Sequence, residues 1–149
     1  MARQYDRKLI MEDGSEYYGY AFGAKEERVL EIVFNTSMAG YQEIVSDPSY
    51  TFQGVVATYP LIGNYGINKD DNETVTPTLG ALIVSEYNDE PSNFRSEKTL
   101  SEWLEECGIP GIEGIDTRKL ARSIRDFGSR KGIITSADVS VEEGLKRIS

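Results

Sequence analysis

The stretch KLIMEDGSEYYGY, residues 8–20, predicts a β-hairpin near the beginning of the chain. Two strand-like runs are separated there by Asp13-Gly14. This pair is typical of a two-residue type I′ turn, because both central residues of that turn need positive φ. Four further apolar runs of strand length predict the rest of a sheet, at residues 29–34, 55–59, 79–85 and 132–135.

Helical periodicity appears only in the second half of the chain, where it predicts three helices. Gly108 is expected to end the first helix, and Asp116 is expected to cap the start of the second. Ser140 and Glu143 have the spacing of a capping box, which predicts the start of the third. The apolar faces of the first two helices consist of Leu100, Trp103, Leu104 and Cys107, and of Leu120, Ala121, Ile124 and Phe127.

This order of elements, strands first and helices later, favours the α/β class. Mixed sheets covered on one side by helices are the economical arrangement, whereas the order of the strands does not follow from the pattern. Residues 108–115, GIPGIEGI, lie between two of the predicted helices. The 149 residues suit one domain with a substantial core.

The chain carries 25 acidic and 16 basic residues, which gives a net charge of −9. A field of that sign repels nucleic-acid backbones and anionic lipid surfaces, so we expect neither a nucleic acid nor a membrane as partner. No stretch has the composition of a signal peptide or a membrane span, and one cysteine forbids an internal disulfide. The expected compartment is the cytoplasm, and a secreted domain without disulfides is the alternative.

The composition also limits the chemistry of the chain. There is no histidine, so Cys107 has no partner for a Cys-His pair, and acidic neighbours near a helix C-terminus disfavour its thiolate. The acidic run at residues 70–73 lacks the ligand spacing of a calcium loop, and no P-loop sequence is present. We therefore expect no catalytic residue, no metal site and no cofactor in this chain.

Three polar loops are the candidates for contact with a ligand or with another domain. The first is FNTSMAGYQE, residues 34–43, which continues to DPSY at residues 47–50. The other two are TYPLIGNYGIN, residues 58–68, and SNFRS, residues 92–96, whose Arg95 is able to bind a carboxylate. Ordinary surface turns are a sufficient alternative explanation for each of them.

The chain resembles one family, in which these loops occur in the same order. The resemblance also includes LIMEDG at residues 9–14 and GIEGIDTRKL at residues 111–120. The family is the amino-terminal domain of the small, glutamine-hydrolysing chain of carbamoyl phosphate synthetase. The resemblance implies a three-layer β/β/α swivelling domain. It also implies that residues 1–149 are followed, in the parent protein, by a class I glutamine amidotransferase domain with a Cys-His-Glu triad that is absent from this chain.

The resemblance further implies an activity that is shared between two chains. The small chain hydrolyses L-glutamine, and the ammonia passes through a tunnel to the large chain. The large chain uses bicarbonate, ATP and Mg²⁺ to make carbamoyl phosphate for arginine and pyrimidine synthesis. The implied partners of this domain are therefore the large chain and the glutaminase domain of its own chain, and the isolated domain is expected to be inactive.

The resemblance assigns roles to a few residues. Ser49, the serine of the DPSY motif, is expected to hydrogen-bond the glutamine held by the neighbouring domain. Ser37 and Met38 are expected to line the start of the ammonia path, because small and apolar groups suit the passage of neutral NH₃. The basic helix after Asp116 is interpreted as scaffold or as the large-chain interface. A free-standing scaffold or binding domain of the same fold is the alternative function.

Overall fold

The computed structural model describes residues 4–35, 44–45, 48–58, 78–85 and 100–149. Within these ranges the chain forms seven strands, three α-helices and a 3₁₀ turn at Pro48–Tyr50. The strands are β1 Arg7–Met11, β2 Glu16–Gly23, β3 Arg28–Asn35, β4 Gln53–Ala57, β5 Ala81–Ile83, β6 Pro110–Glu113 and β7 Arg130–Ser136. The helices are α1 Leu100–Glu106, α2 Thr117–Phe127 and α3 Val141–Ile148. The prediction of the α/β class is confirmed.

The seven strands form one closed barrel in the order β1-β2-β6-β5-β4-β3-β7, and β7 pairs with β1 to complete it. The four neighbours β3, β4, β5 and β6 are parallel, whereas the remaining pairs are antiparallel. The sheet is therefore mixed, as predicted. Closure gives each described strand a partner on both sides. The three-layer swivelling arrangement stays a prediction.

Apolar side chains fill the barrel and also cover its outer surface. Leu9, Val56 and Ile83 belong to one buried cluster, which α2 joins through Leu120 and Ile124. Successive side chains of a strand point to opposite faces. The strand neighbours of these three residues accordingly lie in two separate clusters, and they are Ile10, Val55 and Leu82. The largest cluster therefore fills the barrel, and the other two lie outside it.

The two outer clusters explain the positions of α1 and α3. Trp103 and Leu104 of α1 pack with Phe22 of β2. The third helix places Ile148 against Ile10 of β1, in a cluster that also contains Ile133 of β7. Each helix thus shields one part of the outer barrel wall from water. No helix in the described ranges has both the length and the apolar composition that crossing a membrane requires.

The predicted helix boundaries are confirmed by their caps. Asp116 accepts a hydrogen bond from the backbone N–H of Lys119 at 3.1 Å, and Ser140 accepts one from Glu143 at 3.1 Å. Gly108 follows α1 with a φ of 70°. Phe127 is the exception to the predicted apolar faces, because its side chain is 73% exposed at the last position of α2.

The predicted hairpin is present, but the prediction of a type I′ turn is wrong. Gly14 has a φ of 93°, whereas Phe52 is the one non-glycine residue with positive φ among the described residues, so Asp13 does not have the required conformation. Met11 donates its N–H to Ser15 at 2.9 Å, and Gly14 donates its N–H to Met11 at 2.9 Å. The loop therefore has three residues, and only Gly14 adopts the left-handed conformation.

Residues 108–115 contain a strand that the sequence pattern did not predict. Pro110–Glu113 is β6, which pairs with β2 and β5 and is needed to close the barrel. A Cβ at Gly111 would lie 2.7 Å from Cζ of Phe22, so glycine allows the two strands to approach. Glycine and proline are depleted in strands, which is why local propensity did not indicate this one.

A polar network joins β7 to α3 around the carboxylate of Glu27. Thr135 of β7 is buried and donates its hydroxyl to Oε1 of Glu27 at 2.6 Å, and Arg147 of α3 donates to the same oxygen. The Thr135 hydrogen bond is the main cause that lowers the pKa of Glu27 below its ordinary value, and Arg147 acts in the same direction. A lowered folded-state pKa stabilises the fold above the unfolded value, and this contribution is lost as the pH falls through the folded value.

We expect Thr135→Val, which keeps the shape of the side chain and removes its hydroxyl, to lower the free energy of unfolding by about 1 kcal/mol at neutral pH. The deficit should shrink as the pH falls below the ordinary glutamate pKa of about 4.3 and on through the lowered pKa of Glu27, because the carboxyl group is then increasingly protonated. Urea denaturation at several pH values measures this. Thr58→Val is the control, because the Thr58 hydroxyl donates to the carbonyl of Asn35 and its deficit should not vary with pH. A deficit of Thr135→Val that is constant with pH would contradict the role of Glu27.

Candidate functional site

Ser49 lies in the 3₁₀ turn Pro48–Tyr50, shortly before β4 begins at Gln53. Ser49 and its neighbour Pro48 are exposed at the protein surface. A proline is well suited to the start of such a turn, because its ring fixes φ near the helical value. The structure therefore places the Ser49 side chain where a ligand or a neighbouring domain has access to it.

Tyr50 anchors one side of this turn to the barrel. Its ring is partly buried and packs against the outer apolar cluster that contains Val45 and Val55. Its hydroxyl accepts a hydrogen bond from Nδ2 of Asn35 at 2.7 Å. Asn35 is the last residue of β3, and its carbonyl accepts from both the N–H and the hydroxyl of Thr58. The hydroxyl end of Tyr50 is thus held by the carboxyl end of a barrel strand.

The other side of the turn is anchored by Thr51 and Phe52. The hydroxyl of Thr51 donates to the carbonyl of Pro48 at 2.7 Å and lies 2.7 Å from the hydroxyl of Thr78. The N–H of Phe52 donates to the carbonyl of Thr78 at 2.8 Å, and Thr51 forms a β-bridge with Leu79. These contacts fix the segment between Ser49 and β4 against the start of the neighbouring strand β5.

Phe52 has an unusual backbone conformation at the end of this segment. Its φ is 60°, and its side chain is 75% exposed. A bulky side chain is rarely found in the left-handed region, because its Cβ crowds the backbone. Strain of this kind costs about 1–3 kcal/mol and is maintained only where the surroundings impose it. The hydrogen bond from Phe52 to Thr78 and the β-bridge between Thr51 and Leu79 hold the backbone in place here.

The chemistry of residues 48–52 is that of binding. The sequence PSYTF contributes three hydroxyl groups, which donate and accept hydrogen bonds, and it contains no carboxylate, amine or thiol. With no histidine in the chain, the Ser49 hydroxyl has no imidazole base to activate it as a nucleophile. The hydroxyl groups of the turn are therefore suited to hold a polar ligand.

The next candidate groups are the single thiol and the possible metal ligands. Cys107 is half-buried and packs against the apolar cluster around Trp103, as the sequence predicted. Among the described residues, no group of three or more histidine, cysteine, aspartate or glutamate side chains is placed to hold a metal. Ser37, Met38 and Arg95 lie outside the described residues, so their expected roles stay predictions.

The basic helix after Asp116 is α2. Its exposed cationic side chains are Arg118, Lys119, Arg122 and Arg125. Arg125 pairs with Asp126 at 3.1 Å, and Nζ of Lys119 lies 5.9 Å from the ring centroid of Tyr17. Two of the four cations thus already have a neighbour within the chain. The role of this helix as scaffold or as interface stays a prediction.

Two residues of the site have no role in the sequence-based predictions. Asn35 lies inside the FNTS motif, but the sequence does not indicate that its side chain binds Tyr50, which is 15 positions away. Thr78 lies 27 positions from Thr51 and belongs to none of the quoted motifs. Both contacts depend on the pairing of β4 with its two parallel neighbours, so no local signal predicts them.

Comparison with known proteins identifies relatives along most of the chain. A family model described as "Carbamoyl-phosphate synthase small chain, CPSase domain" matches residues 9–134. The carbamoyl phosphate synthase small chain of Fusobacterium nucleatum subsp. nucleatum is 60% identical over 139 residues, which are 93% of this chain and 39% of that protein. The pyrimidine-specific small chain of Bacillus subtilis (strain 168) is 54% identical over 143 residues, 96% of this chain and 39% of that protein. This chain thus spans 39% of the length of these curated relatives.

A solved structure also shares the fold. The aminopeptidase from Aneurinibacillus sp. strain AM-1 superposes with a TM-score of 0.50 at 12% sequence identity, over 90% of this chain and 30% of that chain. At this level of identity the likeness concerns the fold alone, because unrelated functions share folds.

We expect Phe52→Gly to raise the free energy of unfolding by about 1 kcal/mol, because glycine adopts positive φ without strain and the exposed ring contributes little burial. Phe52→Ala is the matched control, since it removes the same ring but keeps a Cβ at the strained position. Thermal denaturation of the two variants compares them. An equal gain in both variants would assign the effect to the ring and would contradict the role of backbone strain.

Proposed function

This chain belongs to the carbamoyl-phosphate synthase small-chain family, and from that membership we propose that it acts as the non-catalytic amino-terminal domain of a glutamine-dependent carbamoyl phosphate synthetase. The supporting observations are the family match over residues 9–134 and the coverage of 39% of the relatives' length. The rest of the relatives' length is the proposed location of a class I glutamine amidotransferase domain. The swivelling architecture implied by the sequence resemblance belongs to this proposal.

In this function Ser49 forms one wall of the glutamine pocket. The exposed position of Ser49, in a turn anchored on both sides, supports the role. Glutamine carries an amide, a carboxylate and an ammonium group, and a hydroxyl is able to bind each of them. The absence of carboxylate and amine side chains in residues 48–52 also supports it, because the turn would repel neither charge of a zwitterionic substrate.

The remaining elements of the function are shared with partners. L-glutamine is hydrolysed in the amidotransferase domain, and the ammonia is delivered to the large chain along a path that begins near Ser37 and Met38. The large chain uses ATP and Mg²⁺ to form carbamoyl phosphate for the arginine and pyrimidine pathways in the cytoplasm. The domain itself holds no cofactor. Its contribution is to bind, orient and dock.

We expect the isolated chain to hydrolyse glutamine no faster than buffer does, because it has no histidine to act as the base for a cysteine or serine nucleophile. Ammonia release from glutamine measures this. Turnover that survives Cys107→Ala would contradict the non-catalytic assignment.

The direct test of the function is a chimera. Residues 9–134 of this chain replace the matching segment in the Fusobacterium nucleatum small chain, which is 60% identical, and the product is combined with the large chain of that organism. We expect glutamine-dependent carbamoyl phosphate synthesis. Ammonia-dependent synthesis by the same preparation verifies that the large chain is intact. A folded chimera that supports only the ammonia-dependent reaction would contradict the proposed function.

In this chimera we expect Ser49→Ala to raise the KM for glutamine about two- to tenfold, the cost of one hydrogen bond. Ser129→Ala is the matched control, because Ser129 is an exposed serine that bonds Glu31 elsewhere on the barrel. Steady-state kinetics with varied glutamine measure both variants. An unchanged KM for Ser49→Ala would remove Ser49 from the glutamine site.

A further inference from the structure

The segment around Ser49 contains a second group whose position bears on glutamine binding. Tyr50 is its immediate neighbour in the same three-residue turn, and the turn has no buried residue of its own. A turn this short has little intrinsic stability, because few backbone hydrogen bonds hold it. Its conformation therefore depends on side chains that reach the barrel.

The contact that joins the turn to β3 is the hydrogen bond between Tyr50 and Asn35. Nδ2 of Asn35 donates to the Tyr50 hydroxyl at 2.7 Å. Asn35 is paired with Ala57 in the parallel β3-β4 ladder, and the carbonyl of Asn35 accepts from Thr58 at 3.2 Å and at 3.0 Å. The donor thus belongs to the rigid sheet, whereas the acceptor belongs to the turn.

The geometry of the tyrosine side chain converts this contact into a constraint on Ser49. The ring packs against the outer apolar cluster and its hydroxyl accepts from Asn35, so the side chain is held at both places. Fixing the side chain at two places fixes the Cα of Tyr50 and hence the peptide that follows Ser49. A binding hydroxyl that is held in place loses less conformational entropy when the ligand arrives.

We propose that the Asn35–Tyr50 hydrogen bond positions Ser49 for glutamine, which makes Tyr50 and Asn35 positioning residues of the glutamine site. This rests on the proposed function, in which Ser49 contacts the substrate. Thr51 and Thr78 hold the other side of the same turn, so the Tyr50 contact sets the side that faces β3. Neither positioning residue needs to touch glutamine.

Tyr50→Phe in the chimera described above is the test, because it removes the hydroxyl and leaves the packed ring. We expect the KM for glutamine to rise about two- to tenfold, and by no more than in Ser49→Ala, with kcat changed by less than about twofold. Asn35→Ala should produce a rise of the same size, since it removes the other partner of one bond. Tyr18→Phe, which removes a hydroxyl from β2, is the control and should leave the KM unchanged.

The double variant separates positioning from a merely structural role. If Tyr50 acts through Ser49, Tyr50→Phe in the Ser49→Ala background should add nothing to the KM, whereas independent effects would multiply. Multiplying effects, or an unchanged KM in both Tyr50→Phe and Asn35→Ala, would overturn the inference. Should Tyr50→Phe fail to fold, Asn35→Ala and its double variant with Ser49→Ala decide the question.

The same variants distinguish the inference from the function on which it rests. A raised KM in Ser49→Ala together with an unchanged KM in Tyr50→Phe would overturn the positioning role and leave the glutamine contact of Ser49 intact. An unchanged KM in Ser49→Ala, in a chimera that uses glutamine, would overturn both the positioning role and the glutamine contact of Ser49. A raised KM in both single variants without further rise in the double variant supports both.

Discussion

Parallel pairing of β3 with β4 fixes both ends of the segment that joins them. Two parallel neighbours cannot be linked by a tight turn, so the chain must leave the sheet after Asn35 and return before Gln53. The register sets Asn35 opposite Ala57, and it thereby brings the carboxyl end of β3 within reach of the Tyr50 side chain. The candidate site exists because the segment that joins β3 to β4 is anchored, through Tyr50, to Asn35 at the end of β3. Strand β7 closes the barrel and pairs with β3, so it also supports the β3-β4 ladder.

The barrel and the site make different demands on the chain. Both faces of the barrel strands are covered, so consecutive residues of a strand have to be apolar. Leu9 with Ile10, and Val55 with Val56, meet this demand. The candidate site needs exposed polar groups in fixed positions. The strained φ of Phe52 occurs in the segment that carries these groups. An aminopeptidase shares much of the fold at 12% identity, which is consistent with a scaffold that carries different sites.

Local signals predicted those parts of the fold that neighbouring residues decide. The caps at Asp116 and Ser140 and the end of α1 at Gly108 follow from hydrogen bonds within one turn, so the sequence was sufficient for them. Strand β6 was missed because glycine and proline are rare in strands, and the contact that requires Gly111 is with Phe22, which is distant in sequence. The exposed position of Phe127 was missed because helical periodicity does not reveal where the helix extends past the core.

By itself, the sequence determined the α/β class, the absence of a Cys-His pair within this chain and, through its motifs, the family. It also predicted Ser49 as the site residue. Composition and short spacings carry that information, because they concern residue types and neighbours within a few positions. Only the tertiary structure decided the closed order of the strands and the partners of Ser49's turn, which are Asn35 and Thr78. These depend on strand register, which is set by the packing of the whole barrel and not by any local stretch.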